Sequence, residues 1–130
     1  MCEKNRLTVG VGVDMCAVSR MERAIERQHF YERVFFDGER AYLEKKEKAR
    51  AQSAAAMFAA KEAAAKALGT GFAGGVMPWT IEVTHTADHV PGIEMHGAAR
   101  ERLERIGGRR VHLSLTHEGD MAAAFVVIEG

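Results

Sequence analysis

Phe58-Ala59-Ala60-Lys61-Glu62-Ala63-Ala64-Ala65-Lys66, closed by Gly69-Thr70-Gly71, places two lysines and a carboxylate on a segment built almost entirely of alanine. Alanine combines the highest helix propensity with little bulk, so the segment predicts a helix over 52–68 that admits close neighbours. Gly69 ends it, because the position after a helix C-cap favours a left-handed backbone. Glu62 and Lys66 stand four apart on one face, in the order that gives an ion pair worth ~0.2–0.5 kcal/mol. Taken alone, this is a helix with a decorated surface.

The rest of the chain supplies the company. Val9, Val11 and Val13 alternate with Gly10, Gly12 and Asp14, a strand with valines on one side and glycines and a carboxylate on the other. Glycines there let another backbone or a ligand come close, and Asp14 ends the row where the strand meets the surface. Ser19 reads as the N-cap of a helix over 20–28, with Met21, Ala24 and Ile25 facing inward. A charged helix over 39–50 reads as exposed and carries no assigned chemistry. Gly71, Gly74 and Gly75 make a turn before a strand over 79–83, and Pro91-Gly92 marks the turn into a short strand over 93–95. A helix over 97–106 follows. Val111, Leu113 and Leu115 then alternate with polar residues, and Glu118-Gly119-Asp120 turns the chain into 122–128. That segment is apolar on both faces, so the pair is a hairpin with a central second strand. The fold class is α+β, a small antiparallel sheet packed with helices, in one domain spanning 1–130.

Composition narrows the function classes. Apolar residues make up 47% and charged ones 28% of 130 residues, the balance of a globular protein. Eighteen basic residues offset eighteen acidic ones, which argues against a nucleic-acid partner. Met1 to Arg6 show no apolar signal core, and no run is long enough to span a bilayer; a cytoplasmic protein without a membrane partner is expected. Cys2 and Cys16 fit neither a metal motif nor a disulfide framework and read as reduced thiols. His85 and His89 have the spacing of a zinc helix but lie between a strand and Pro91, and read as loop residues.

Magnesium takes hard oxygen ligands, usually one or two protein carboxylates with water and phosphate oxygens. Asp14 and Glu62 would supply the carboxylates, and Lys61 and Lys66 would neutralise a diphosphate. The Gly69 to Gly71 exit could aim backbone N–H groups at the same anion. Arg20, Arg23 and Arg27 fall in one helical sector, apart from Glu22 and Glu26, and form a cationic stripe suited to an acidic partner.

These motifs resemble the signature of the 4′-phosphopantetheinyl transferases, in particular their compact bacterial branch, the holo-acyl-carrier-protein synthases. The resemblance runs nearly end to end: Val11-Gly12-Val13-Asp14 with Arg20 six residues on, the Phe58 to Lys66 block, and Val111 to His117 followed by Ala122 to Ile128. It implies transfer of the phosphopantetheine arm of coenzyme A to a serine of an apo acyl carrier protein, releasing adenosine 3′,5′-bisphosphate. By position it implies Asp14 and Glu62 as Mg2+ ligands, Glu62 and Lys66 as catalytic residues, and His117 near the coenzyme A phosphates. Arg20 and Arg27 match carrier-docking positions, with Arg23 added on helix geometry. It further implies a homotrimer whose neighbouring protomers complete each coenzyme A site. Two positions depart from the family pattern: Met57 stands where relatives commonly carry arginine, and Ala17 where many have glutamate. The residues themselves leave two other readings open, a non-catalytic module that binds carrier proteins or coenzyme A, and a magnesium-dependent nucleotide hydrolase.

Overall fold

The computed structural model describes residues 7–130; Cys2 and the other residues of the Met1 to Arg6 stretch lie outside it. The chain begins with β1 (Thr8–Ala17), then α1 (Val18–Ala24), α2 (Gln28–Val34) and α3 (Asp37–Glu44), and a 3-10 turn leads into α4 (Arg50–Ala67). After a glycine-rich loop come β2 (Ile81–His85), β3 (Pro91–Met95), α5 (Gly97–Arg105), β4 (Arg110–Glu118) and β5 (Met121–Glu129). The fold is α+β. β5 is the central strand, antiparallel to β1 on one side and β4 on the other, while β2 and β3 form a separate antiparallel pair.

The glycine side of β1 receives α4. A Cβ added to Gly10 would lie 2.0 Å from the carbonyl oxygen of Ala67, and one on Gly12 would lie 1.9 Å from that of Ala63. Strand and helix backbones therefore touch, which only glycine on one side and alanine on the other allow. From β5, Ala122, Ala124, Val126 and Ile128 complete this buried layer. A row of alternating valines ordinarily marks the buried side of a strand; here Val11, Val13 and Met15 are exposed, with Phe125 of β5 beside them.

Several expected elements come out differently. The helix over 20–28 is interrupted after Ala24, and Arg27 becomes the N-cap of α2. Ala17, not Ser19, caps α1; the Ser19 amide and hydroxyl instead bond the Asp120 carboxylate at 3.0 and 2.7 Å, which ties α1 to the β4–β5 turn. The charged helix over 39–50 stops at Glu44, and its Glu39 is buried. Residues Pro78–Thr80 form a 3-10 turn, so the strand expected from Trp79 starts at Ile81. His85 closes β2, its ring stacked 3.8 Å from that of Tyr42. Among the described residues, no helix is long and apolar enough to cross a membrane.

Candidate active site

β1 and α4 bring Asp14, Glu62 and Lys66 together. Their backbones touch at Gly12 and Ala63, so the next outward-leaning side chains, Asp14 on the strand and Glu62 on the helix, meet at the edge of the contact. The Asp14 carboxylate lies near enough to act on that of Glu62. Burial foremost, then the adjacent Asp14 charge, pushes Glu62 up to about 7, against the opposing pull of Lys66 and Arg20. Lys66 Nζ lies 3.6 Å from Asp14 Oδ1 and donates to the Val13 carbonyl at 3.3 Å. Two crowded carboxylates cost free energy unless a proton or a cation lies between them. A pair of hard oxygen donors at a half-open edge fits a magnesium ion that keeps its remaining positions for water and phosphate.

Beside this cluster Arg20, Arg23 and Arg27 still line one cavity, of about 310 Å³, although they no longer share a helix; Phe30 and Phe58 form its apolar wall. Cations around an apolar hollow suit an acidic helix with a hydrophobic ridge. Cys16 also lines the hollow, but burial and the Glu62 charge push its thiol up to about 11, so it is not a nucleophile at neutral pH.

The expected Lys61 and glycine-amide contacts require correction. Lys61 is fully buried: Nζ donates to Glu39 Oε1 at 2.9 Å, to the Pro78 carbonyl at 3.0 Å and to the Ile81 carbonyl at 2.6 Å, with no path to a phosphate. Gly69 has the expected left-handed backbone, φ 85°, but its amide bonds the Lys66 carbonyl at 2.9 Å, and the Gly71 amide bonds that of Ala65 at 3.1 Å. These N–H groups close the helix C-terminus and are not available to an anion. Arg102, unnoticed in the sequence, adds its Nε to the Leu68 carbonyl at 2.9 Å. His117 does not join Asp14 and Glu62. It lies on β4, its Nδ1 3.2 Å from Gln52 Nε2, beside a hollow of about 200 Å³ that Met57 and Tyr42 help to line. Asp14 and His117 thus occupy opposite flanks of α4. Met57 is buried and offers no phosphate contact, and Ala17 serves as the α1 N-cap.

A second group, Glu82, Glu94 and His96 at the β2–β3 pair, has its ligand atoms within 4.8 Å of one another. His96 Nε2 already pairs with Glu82 Oε1 at 2.9 Å, and the group adjoins neither Asp14 nor the arginine hollow. His112 likewise pairs with Glu129 at 2.8 Å.

Residues 10–126 match the 4′-phosphopantetheinyl transferase superfamily. The chain belongs to that superfamily. A holo-[acyl-carrier-protein] synthase of Methylobacterium radiotolerans is 44% identical over 129 residues, covering 95% of this chain and 94% of its own. The crystal structure of the corresponding Neisseria meningitidis synthase superposes with a TM-score of 0.83 at 35% identity, over 95% of this chain and all of that one. A Bacillus anthracis holo-(acyl-carrier-protein) synthase solved in complex with CoA (3′,5′-ADP) gives 0.79 at 31% identity, over 95% and 97%. The α+β fold is therefore that of the phosphopantetheinyl transferases, and the chain is an enzyme of this superfamily.

Proposed function

We propose that this chain, acting as one cytoplasmic domain, transfers the 4′-phosphopantetheine group of coenzyme A to a serine of an apo acyl carrier protein in a magnesium-dependent reaction. The observation that carries the reading is the meeting of Asp14, Glu62 and Lys66 beside a hollow lined by Arg20, Arg23 and Arg27. Asp14 and Glu62 would hold the magnesium, which when bound withdraws charge from the diphosphate oxygens. Lys66, more than half exposed, is free to swing from the Val13 carbonyl onto a phosphate and offset charge on the leaving group. The arginines hold the acidic carrier so that its serine hydroxyl faces the diphosphate. The serine oxygen forms a bond to the phosphorus next to pantetheine and gives its proton to solvent water. The bond from that phosphorus to the bridging oxygen breaks, and adenosine 3′,5′-bisphosphate leaves with the bonding pair.

We further read the active species as a homotrimer in which a neighbouring copy supplies the His117 flank of each coenzyme A site. Two features support this reading: the exposed apolar side of the β1–β5–β4 sheet, and the separation of His117 from Asp14 and Glu62 by α4 within one chain. The test of the activity is the intact mass of an apo carrier protein after incubation with this chain, coenzyme A and magnesium. A phosphopantetheine mass gain, reduced by more than about 100-fold in rate in Glu62→Ala, is expected, since outer-shell changes alone cost 10–100-fold. Release of adenosine bisphosphate without a carrier would instead show a hydrolase, and carrier binding without mass gain a docking module.

A further inference from the structure

Among the described residues, Glu39 and Lys61 are the charged side chains buried completely, and the transfer reaction uses neither. Lys61 is nevertheless adjacent to Glu62 on the helix that carries the proposed metal ligand. The surface of α4 explains why a charge here has consequences. Ala54, Ala55, Ala59, Ala60, Ala63 and Ala64 are all fully buried, and at about 100° per residue they lie on every side of the helix. Apart from Met57 and Phe58, such a cylinder has low ridges, so apolar packing alone distinguishes weakly between one rotation and the next.

Lys61 removes that freedom. Its ammonium meets three acceptors on separate segments: Glu39 Oε1 on α3, the Pro78 carbonyl on the 3-10 turn and the Ile81 carbonyl on β2. Glu39 is fixed in turn, accepting the Phe36 amide at 2.8 Å and the Val83 amide at 2.7 Å. No buried side-chain donor or acceptor among the described residues is left without a partner. A turned or slipped α4 would strand an ammonium and a carboxylate in the core, a cost no alanine contact offsets. Glu62, one residue on and about 100° around the axis, is thereby directed at Asp14.

We propose that the buried Lys61–Glu39 pair is the positioning device of the catalytic edge, setting the rotation and height of α4 so that Glu62 and Lys66 meet Asp14. This deepens the magnesium reading and rests on Glu62 being a metal ligand. Replacing both members of a buried ion pair with apolar side chains of similar size is often neutral for stability; here it also leaves the Phe36 and Val83 amides and the Pro78 and Ile81 carbonyls without their partner, so part of the stability falls while orientation is lost. Stability and site geometry should therefore separate in the full-length Glu39→Leu/Lys61→Met double variant.

The measurement is Mn2+ binding by paramagnetic resonance, with the thermal midpoint and the kcat and KM for coenzyme A recorded on the same samples. The double variant should stay folded, bind Mn2+ at least about tenfold more weakly, and lose kcat by a similar factor, as displaced outer-shell support does. A folded double variant with natural Mn2+ affinity and kcat overturns the proposal. Should it not fold, Lys61→Arg carries the test. It keeps the charge in a longer, forked group that must push α4 aside, and natural Mn2+ affinity in that folded protein overturns the proposal equally. Failure of both variants to fold also overturns it, because the pair would then serve the fold and not the aim of Glu62. Glu62→Ala separates the two levels. If that variant keeps Mn2+ the metal reading itself fails; if it loses Mn2+ while the double variant keeps it, only the positioning role fails.

Discussion

Toward α4 the β1–β5–β4 sheet presents Gly10, Gly12, Ala122 and Ala124, the smallest side chains available; away from it the same strands present Val11, Val13, Met15 and Phe125, exposed by 56, 58, 61 and 49%. The small residues sit where the helix backbone comes closest, with Val126 and Ile128 of β5 also inside, whereas the large apolar residues of β1 face outward. The inner face gains backbone contact, which brings Asp14 to Glu62 beside a close helix-to-strand approach. The outer face forgoes burial that a lone chain would need, an arrangement that suits a surface covered by another copy. In the proposed trimer, site construction and assembly would use opposite sides of one sheet.

The inner face should break hardest. Gly12→Val places a side chain 1.9 Å from the Ala63 carbonyl oxygen, and neither backbone can give way, so loss of more than about 3 kcal/mol is expected from overpacking. Chemical denaturation of this variant against Val13→Ala, one residue along on the outer face, makes the comparison. Equal stabilities would mean the two faces are not different in kind. Val13→Glu on the outer face should leave each chain folded but put charges into the proposed contact. Sedimentation should then report single chains, with transfer activity falling in step with dissociation. Full activity in a monomeric Val13→Glu protein would detach the outer face from function.

A smaller effect sharpens the inner edge. Glu62 is raised, chiefly by burial and then by Asp14, so in the metal-free fold its protonated form is favoured below about pH 7. The stability this confers is complete below the ordinary carboxylate range and is lost as pH rises through about 7. Divalent binding must displace that proton. Apparent Mg2+ affinity should climb by about tenfold per pH unit below about 7 and level off above it. Calorimetric titrations across that range check this, and a flat profile would place the cation elsewhere.

Much of this layout was legible because it is periodic. The alanine helix, the glycine–aspartate row and the C-terminal hairpin all repeat at intervals that only one kind of element satisfies. Glu39 was not legible, since a charged run looks solvated until the partner that neutralises one member is known. The partner, Lys61, did carry a signal: five residues from Lys66, it stands about 140° round the helix and cannot share the Glu62–Lys66 face. The break after Ala24 has no glycine or proline to announce it. Asp120, which holds α1 through Ser19, acts across 101 residues and has no local pattern at all. The closing amides of Gly69 and Gly71 show why glycine composition suggests an anion cradle but only backbone partners decide it.

Whether one chain's Asp14–Glu62 edge works with another chain's His117 flank is settled by mixing two inactive proteins. Asp14→Ala and His117→Ala chains, each inactive alone, are co-expressed in equal amounts and assayed for carrier mass gain. Activity should return to about a quarter of the natural level, as random pairing across a closed ring gives intact sites at that frequency. Mixed assemblies that remain as inactive as their parents would contradict a site shared between chains.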